Sequence, residues 1–424
     1  SIHRHTKEAV VAHFLSLKSV DDILTLARSF PPLRAEKVRL ENAHGRILAE
    51  AFCSPEDLPG FDRSCMDGFA VRAKDVFGAS EGSPALLENV GECPMGMPVH
   101  TGIGPGQCMR IWTGGMLPGG ADAVVMLEYS RDAGGKNIEL TRPAAPGDNI
   151  ILKDEDARKG RQLIPGGSVL RPQEIGLLAA LGQTEVSVRK KPRFSIISSG
   201  DEVLPIHSRP GPGQVRDVNS YTLAALAQAA GAEVYACGIV ADNPGDLEQI
   251  IAGALVQSDV ILISGGSSAG QRDYTIHALQ SLPGCEILAH GVAISPGKPL
   301  ILARLGEKSL WGLPGHAASA LVCAEVFIRP LLYKLLGRRL ETPVWEGQLK
   351  ARLARSVSSA HGRREYIRVA LEASTGPGEP MIARPVLSKS GIISNLVLAE
   401  ALVVCPEDKE GLAAGEGVGI HLLL

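Results

Sequence analysis

Hydroxyls, glycines and carboxylates gather at a few places in this chain, and three of those places follow short apolar runs. Ser199-Gly200-Asp201-Glu202 follows Phe194 to Ser198, Ala241-Asp242-Asn243 follows Glu233 to Val240, and Ser264-Gly265-Gly266-Ser267, leading on to Asp273, follows Val260 to Ile263. Asp217 and Asn219 stand where an alanine-rich helix, Val218 to Ala230, begins. Glycines let backbone approach a ligand closely, and a small-residue loop between strand and helix turns its N–H groups toward an anion such as phosphate. Carboxylates drawn to one dry rim repel one another. A divalent cation relieves the repulsion and lets an acidic rim accept a phosphate-bearing ligand. Two readings stand side by side: a site for metal and phosphate at Asp201, Glu202, Asp242 and Asp273, or a solvated acidic edge. In the second, Asp273 only caps a helix from Tyr274 to Leu282.

The elements that must position these groups are legible. Val260 to Ile263 is apolar without alternation, as in a strand buried on both faces. From Pro192 the texture runs strand, helix, strand, helix, which predicts a doubly wound, mainly parallel α/β domain. Ligands of such sheets bind beyond the carboxyl ends of the strands, where these clusters fall. A long helix opens at Pro314-Gly315-His316 and runs to about Leu336, bent or interrupted near Pro330. Upstream, Val20 to Ser29 reads as a helix, and Lys37 to Leu40 and Ile47 to Ala51 flank a turn. Short strands broken by Gly and Pro fill the region from Ser54 to Pro146. Within it, Thr113 reads first as a turn hydroxyl, and the run Lys153 to Lys159 as a solvated surface. β texture returns after Thr342.

Length and composition narrow the function classes. A chain of 424 residues exceeds one ordinary core, so two to four domains are expected. With 45% hydrophobic and 21% charged residues it reads as soluble and globular. A net charge of −3 without a basic stripe argues against nucleic acid. No apolar run approaches the roughly 18 residues of a membrane span, and Ser1 to His5 lack an apolar signal core. Eight scattered cysteines without a Cys-x-x-Cys pair fit reduced thiols in a cytoplasm. No Gly-x-Ser-x-Gly occurs, and Gly102-x-Gly104 lies in the β-rich region, where a dinucleotide fingerprint fails on context.

Phe61 to Gly68, Arg110 to Gly115, Ser199 to Glu202, Asp217 to Asn219, Ser264 to Tyr274, Pro296 to Pro299 and Leu313 to Gly315 form an ordered series. It resembles the motifs of the molybdopterin molybdenumtransferases, the bacterial MoeA proteins and the E domain of gephyrin. The resemblance implies insertion of molybdate into adenylylated molybdopterin with release of AMP, a divalent cation such as Mg2+, and a homodimer with shared active sites. Molybdopterin adenylyltransferase and molybdoenzyme apoproteins or their chaperones are implied partners; scaffolding with little catalysis and a tungstate preference are the alternatives. By position, the family's functional residues fall on Asp67, Thr113, Glu155, Asp156, Glu202, Asp242, Asp273, Pro314, Arg368 and Ser390. Ser199, Gly200, Asp217, Asn219, Ser264, Gly265, Gly266, Ser267, Lys298 and Gly315 join them as candidate substrate contacts. The chain departs from the family at Ser295 (often Lys), Ile151 (often Arg) and His316-Ala317 (often Asn-Pro), which bears on oxyanion preference and turnover. The expected architecture is an elongated N-terminal lobe (1–53 and 147–191) and a β-rich inserted domain (54–146), followed by the α/β molybdopterin-binding domain (192–338) and a C-terminal β-barrel-like domain (339–424).

Overall fold

The computed structural model describes residues 17–265, 269–339, 349–374, 376, 378–387 and 391–423. At its centre, the unalternating apolar runs form one six-stranded sheet. Its order is Glu233–Val240, Arg193–Ser199, Val260–Gly265, Lys308–Leu313, Ile301–Leu305 and Cys285–His290. The first four strands are parallel and the last two antiparallel. Val260 and Leu262 pack into one core with Leu223, Leu226 and Trp311. Ile261 and Ile263 pack into a second core with Leu247, Ile251 and Leu279. Helices cover both faces, which is why the run carries no polar alternation.

Register aligns the carboxyl ends of the parallel strands, because Ser199 stands opposite both Val240 and Gly265, and Ser264 opposite Leu313. The chain leaves Arg193–Ser199 for one neighbour and later returns to the other, so the topological switch lies between Ser199 and Gly265. A crevice for ligand forms at such a point.

The N-terminal lobe is a two-way ladder. Ala35–Arg39 pairs with Glu185–Arg189, Phe52–Cys53 with Gln162–Ile164, and Arg63–Ser64 with Ile150–Ile151, all antiparallel. The outgoing and returning chains thus carry a separate six-stranded sheet at the tip. There Gly68–Val71 is flanked by Ala123–Met126 and Gln107–Ile111. A Cβ at Gly68 would meet the carbonyl oxygen of Val125 at 2.0 Å, so only glycine admits that close pairing.

Beyond the α/β domain, Arg364–Glu372, Met381–Pro385, Leu349–Leu353, Gly417–Leu422 and Ala401–Cys405 close into a five-stranded barrel. The α/β domain adds a sixth strand from outside, because Ile294–Ser295 pairs with Arg364–Glu365.

One helix start needs correction, while the interruption near Pro330 and the helix from Val20 follow expectation. The helix after the strand Val260–Gly265 spans Ala269–Ser281, so Asp273 lies in its second turn and cannot be its N-cap. The long helix is interrupted by a π-helical turn, Ala324–Ile328. That turn stands just before Pro330, whose ring would otherwise press on the preceding turn. Of the first 28 residues, Val20–Arg28 is helical, and residues 1–16 lie outside those described.

Leu262, 1% exposed, sits at the sheet's centre. Leu262→Ala is expected to lower stability by about 2–5 kcal/mol through lost burial and a residual cavity. Val256→Ala, at a site 84% exposed, should change it by less than about 0.5 kcal/mol. Urea unfolding followed by circular dichroism checks both; equal midpoints would refute this account of the core.

Candidate active site

At the rim, two loops knit across neighbouring strand ends. The Ser199 hydroxyl donates to the Asp242 carboxylate at 2.9 Å, and the Asp242 backbone N–H donates to the Asp201 carboxylate at 3.1 Å. Asp201 and Asp242 are thus neighbours, as the strand register requires. The Glu202 carbonyl accepts from the Val215 N–H at 2.8 Å, which anchors a small ribbon beside the crevice. Among the described residues no three His, Cys, Asp or Glu side chains converge as a metal cage. Asp273 is placed on its helix by the backbone alone. Gly266 and Ser267 lie outside the described residues, as does Ser390.

Asp217 and Asn219 brace the rim from within. Asp217, 8% exposed, accepts from the Ser198 hydroxyl at 2.9 Å and from the Ser220 N–H at 3.1 Å. Asn219 donates from Nδ2 to the Ser264 hydroxyl at 2.6 Å and to the Gly315 carbonyl at 2.8 Å. One amide therefore ties together the ends of two adjacent strands. Buried polar atoms need such partners, and the cost of losing one falls on the shape of the rim. Pro314 is buried beside them, and exposed His316 opens the helix Ala317–Cys323. Ser198 and Ser220 are part of this brace and were missed from sequence, since nothing local marks a serine as a strut.

A third group borders the rim. In the turn Ser295-Pro296-Gly297-Lys298, the Lys298 carbonyl accepts from the Val292 N–H at 2.9 Å, and the Gly297 carbonyl from the Leu300 N–H at 3.2 Å. Gly297 has φ +125°, and a Cβ there would stand 2.4 Å from the Cys323 sulfur. The turn therefore lies flat on the helix Ala317–Cys323. Strand pairing at Ser295 brings it against the strand bearing Arg368, which is 9% exposed. Burial holds the Arg368 guanidinium below its usual pKa. That is the direction expected where a positive charge lacks water.

The tip carries the fourth group. Asp67 Oδ1 accepts from both the backbone N–H and the hydroxyl of Thr113, each at 2.8 Å. These bonds hold the exposed Asp67 carboxyl below the usual carboxylate range. Arg110 lies over the Trp112 ring, its guanidinium carbon 4.4 Å from the centroid, and Trp112 Nε1 donates to Glu92 at 2.6 Å. The 150s loop folds onto the same tip, with Glu155 accepting from the Leu152 N–H at 2.7 Å and the Asp156 N–H donating to the Leu58 carbonyl at 3.1 Å. Arg63 stands directly opposite Ile151, so a cation shares the face of the ribbon on which Ile151 points. Asp67 and Thr113 thus stand beside the six-stranded sheet of the tip, while Glu155 and Asp156 follow the ribbon of Arg63–Ser64 with Ile150–Ile151; neither pair belongs to the rim's sheet.

Comparison with known proteins fits this arrangement. Residues 18–182 match the family model of the MoeA N-terminal region (domain I and II), residues 195–334 that of a probable molybdopterin binding domain, and residues 350–423 that of the MoeA C-terminal region (domain IV). The chain is 38% identical to the molybdopterin molybdenumtransferase of a Nostoc species, over 90% of this chain and 87% of the relative. Against molybdopterin molybdenumtransferase 1 of Mycobacterium tuberculosis it is 33% identical, over 92% and 95%. The crystal structure of a molybdopterin biosynthesis MoeA protein from Pyrococcus horikosii superposes with TM-score 0.81 at 35% identity, over 96% of this chain and 99% of the other.

The Asp67–Thr113 pair has a pH consequence. Its folded pKa is depressed, so the bonds stabilise the ionised form above the unfolded pKa and are lost as pH falls through the folded value. Thr113→Val removes the hydroxyl donor and keeps the backbone one. The Asp67 pKa should rise toward its ordinary range, and any activity that needs the carboxylate should lose its acid limb at higher pH than wild type. A pH–rate profile checks this; an unmoved acid limb would show that ionised Asp67 plays no part.

Proposed function

The chain belongs to the MoeA family of molybdopterin molybdenumtransferases, and from that premise we propose how its residues divide the work of placing molybdate in adenylylated molybdopterin with release of AMP. The observation that carries the reading is the strand pairing of Ile294–Ser295 with Arg364–Glu365. In this reading Lys298, in the turn that follows the first strand, and Arg368, on the second, form a cationic corner beside an acidic, glycine-lined crevice. The two halves of the chemistry need those opposite surroundings. The pyrophosphate linkage asks for backbone N–H donors and a cation-bearing acidic rim; the incoming molybdate, itself an anion, asks for fixed positive charge.

The crevice between Ser199 and Gly265 receives the pyrophosphate in this reading, with Ser264 and the glycines lining it. Asp217 and Asn219 brace the strand ends beside it and stand among the candidate substrate contacts. Asp201, Glu202, Asp242 and Asp273 offer hard oxygen donors of the type magnesium takes. Magnesium bound through one or two carboxylates and substrate phosphates needs no cage of three protein ligands. When bound, it neutralises charge on the phosphate oxygens as a Lewis acid. Arg368 and Lys298, with Ser390, hold the oxyanion; Ser295 leaves that corner one cation poorer than many relatives.

Asp67, Thr113, Glu155 and Asp156 complete the site from a second copy of the chain. A tip carried on a ladder away from its own rim is suited to reach a partner's, and twofold symmetry then builds two equal sites. Eight free cysteines agree with work in a reducing cytoplasm. No described helix is long and apolar enough to cross a membrane.

Following AMP release from adenylylated molybdopterin with molybdate or tungstate tests the reaction. Release driven by molybdate is expected. Binding without release would favour a scaffold, and release driven only by tungstate would reassign the oxyanion.

Mixing an inactive Asp67→Ala protomer with an inactive Asp273→Asn protomer tests the shared site. Each heterodimer would hold one intact site, so activity should return toward half of that of an intact dimer. Proven heterodimers without recovery would confine each site to one chain.

A further inference from the structure

Two neighbours hold the root of the Lys298 turn. On one side, the Lys18 N–H donates to the Gly291 carbonyl at 3.3 Å and the Ala293 N–H donates to the Lys18 carbonyl at 2.9 Å. On the other, the Arg364 N–H donates to the Ala293 carbonyl at 3.0 Å, and Ile294 and Ser295 pair with Arg364 and Glu365. Residues 291–295 are thus a strip between two outer segments. The strip leads straight into the turn, and Arg364 leads along its own strand to Arg368.

One guanidinium ties the two outer segments together. Just after Lys18, Ser19 caps the helix Val20–Arg28, which places Asp21 in the first turn. Arg364 grips both oxygens of Asp21, at 2.9 and 2.8 Å, and both oxygens of Glu407, at 2.9 and 3.1 Å. Such fork-to-fork contacts fix direction as well as distance. The Arg364 side chain is 20% exposed, and its charge is offset by two carboxylates, so it is poorly placed to bind an anion itself. The frame closes as a ring: Lys18, the 291–295 strip, Arg364 and Asp21.

We propose that Arg364, held by Asp21 and Glu407, is a positioning residue that fixes the separation of Lys298 and Arg368 and thereby sets the affinity for the oxyanion. This rests on the reading that Lys298 and Arg368 bind that ion. Arg364 and Arg368 are four residues apart on one strand, about 13 Å at the usual rise, so the effect travels through backbone geometry. The charges give the test a sign. If Asp21 acted only through its field, its removal would favour an anion nearby. If it acts through the clamp, its removal loosens the corner and disfavours the anion.

The experiment uses the full-length chain. Michaelis constants for molybdate and for adenylylated molybdopterin are measured by AMP release in wild type, Asp21→Asn, Glu407→Gln and Arg364→Gln, with thermal unfolding alongside. In Asp21→Asn the molybdate constant should rise roughly threefold or more, with kcat at saturating molybdate and the constant for the other substrate within about twofold of wild type. Arg364→Lys, which keeps the charge and loses the fork, should resemble Arg364→Gln. A molybdate constant that falls or stays level in Asp21→Asn overturns the proposal, as does a parallel rise in both constants. Should Arg364→Gln fail to fold, the two carboxylate variants decide alone. Lys298→Ala separates the premise from the inference, because an unchanged molybdate constant there would dismiss the oxyanion corner itself.

Discussion

The strand Val260–Gly265 has no solvated face, and the organisation of the α/β domain follows from that constraint. A strand covered by helices on both sides must be apolar from end to end. Its polar atoms are therefore deferred to the point where the sheet stops. Because four parallel strands stop in register, their polar ends are pooled. The same pooling that makes the crevice chemically useful leaves many buried or half-buried donors and acceptors to be satisfied. Asp217 and Asn219 meet that need by reaching along the rim to Ser198, Ser264 and Gly315.

Much of this was legible from local pattern. The alternation of strands and helices after Pro192, the gathering of polar groups beyond the strand ends and the β texture of the flanking regions follow from apolar periodicity and from Gly and Pro as punctuation. What escaped was set by partners distant in sequence. Asp217 and Asn219 look like ligand donors beside a glycine-rich loop, yet their hydrogen bonds run inward to strand ends. Asp273 looks like a cap because Tyr274 opens an apolar pattern. The helix nonetheless starts at Ala269, since Ala269, Gln271 and Arg272 favour a helical first turn despite Gly270. Nothing near Arg364 in sequence announces Asp21, which lies 343 residues away.

The two ends of the molecule treat charge differently. At the tip, Asp67 keeps its carboxylate exposed and ionised by short bonds to Thr113. At the barrel, Arg368 is buried and its charged form is disfavoured. An exposed anion and a desolvated cation suit different tasks. The first can meet a mobile ligand in water, whereas the second gains most when a dehydrated anion arrives to share its pocket.

The strand Ile294–Ser295 belongs by sequence to the α/β domain and by hydrogen bonding to the barrel. Its partner, Arg364–Glu372, is held in turn by Ala401–Cys405, which pairs with Gly417–Leu422 near the end of the chain. During synthesis the α/β domain can collapse as soon as Leu336 has emerged. The Lys298 turn must then wait with an open strand edge for some eighty further residues, on the order of 4–16 seconds at ordinary translation rates. The last strand made thus closes the frame around a turn that was synthesised long before it.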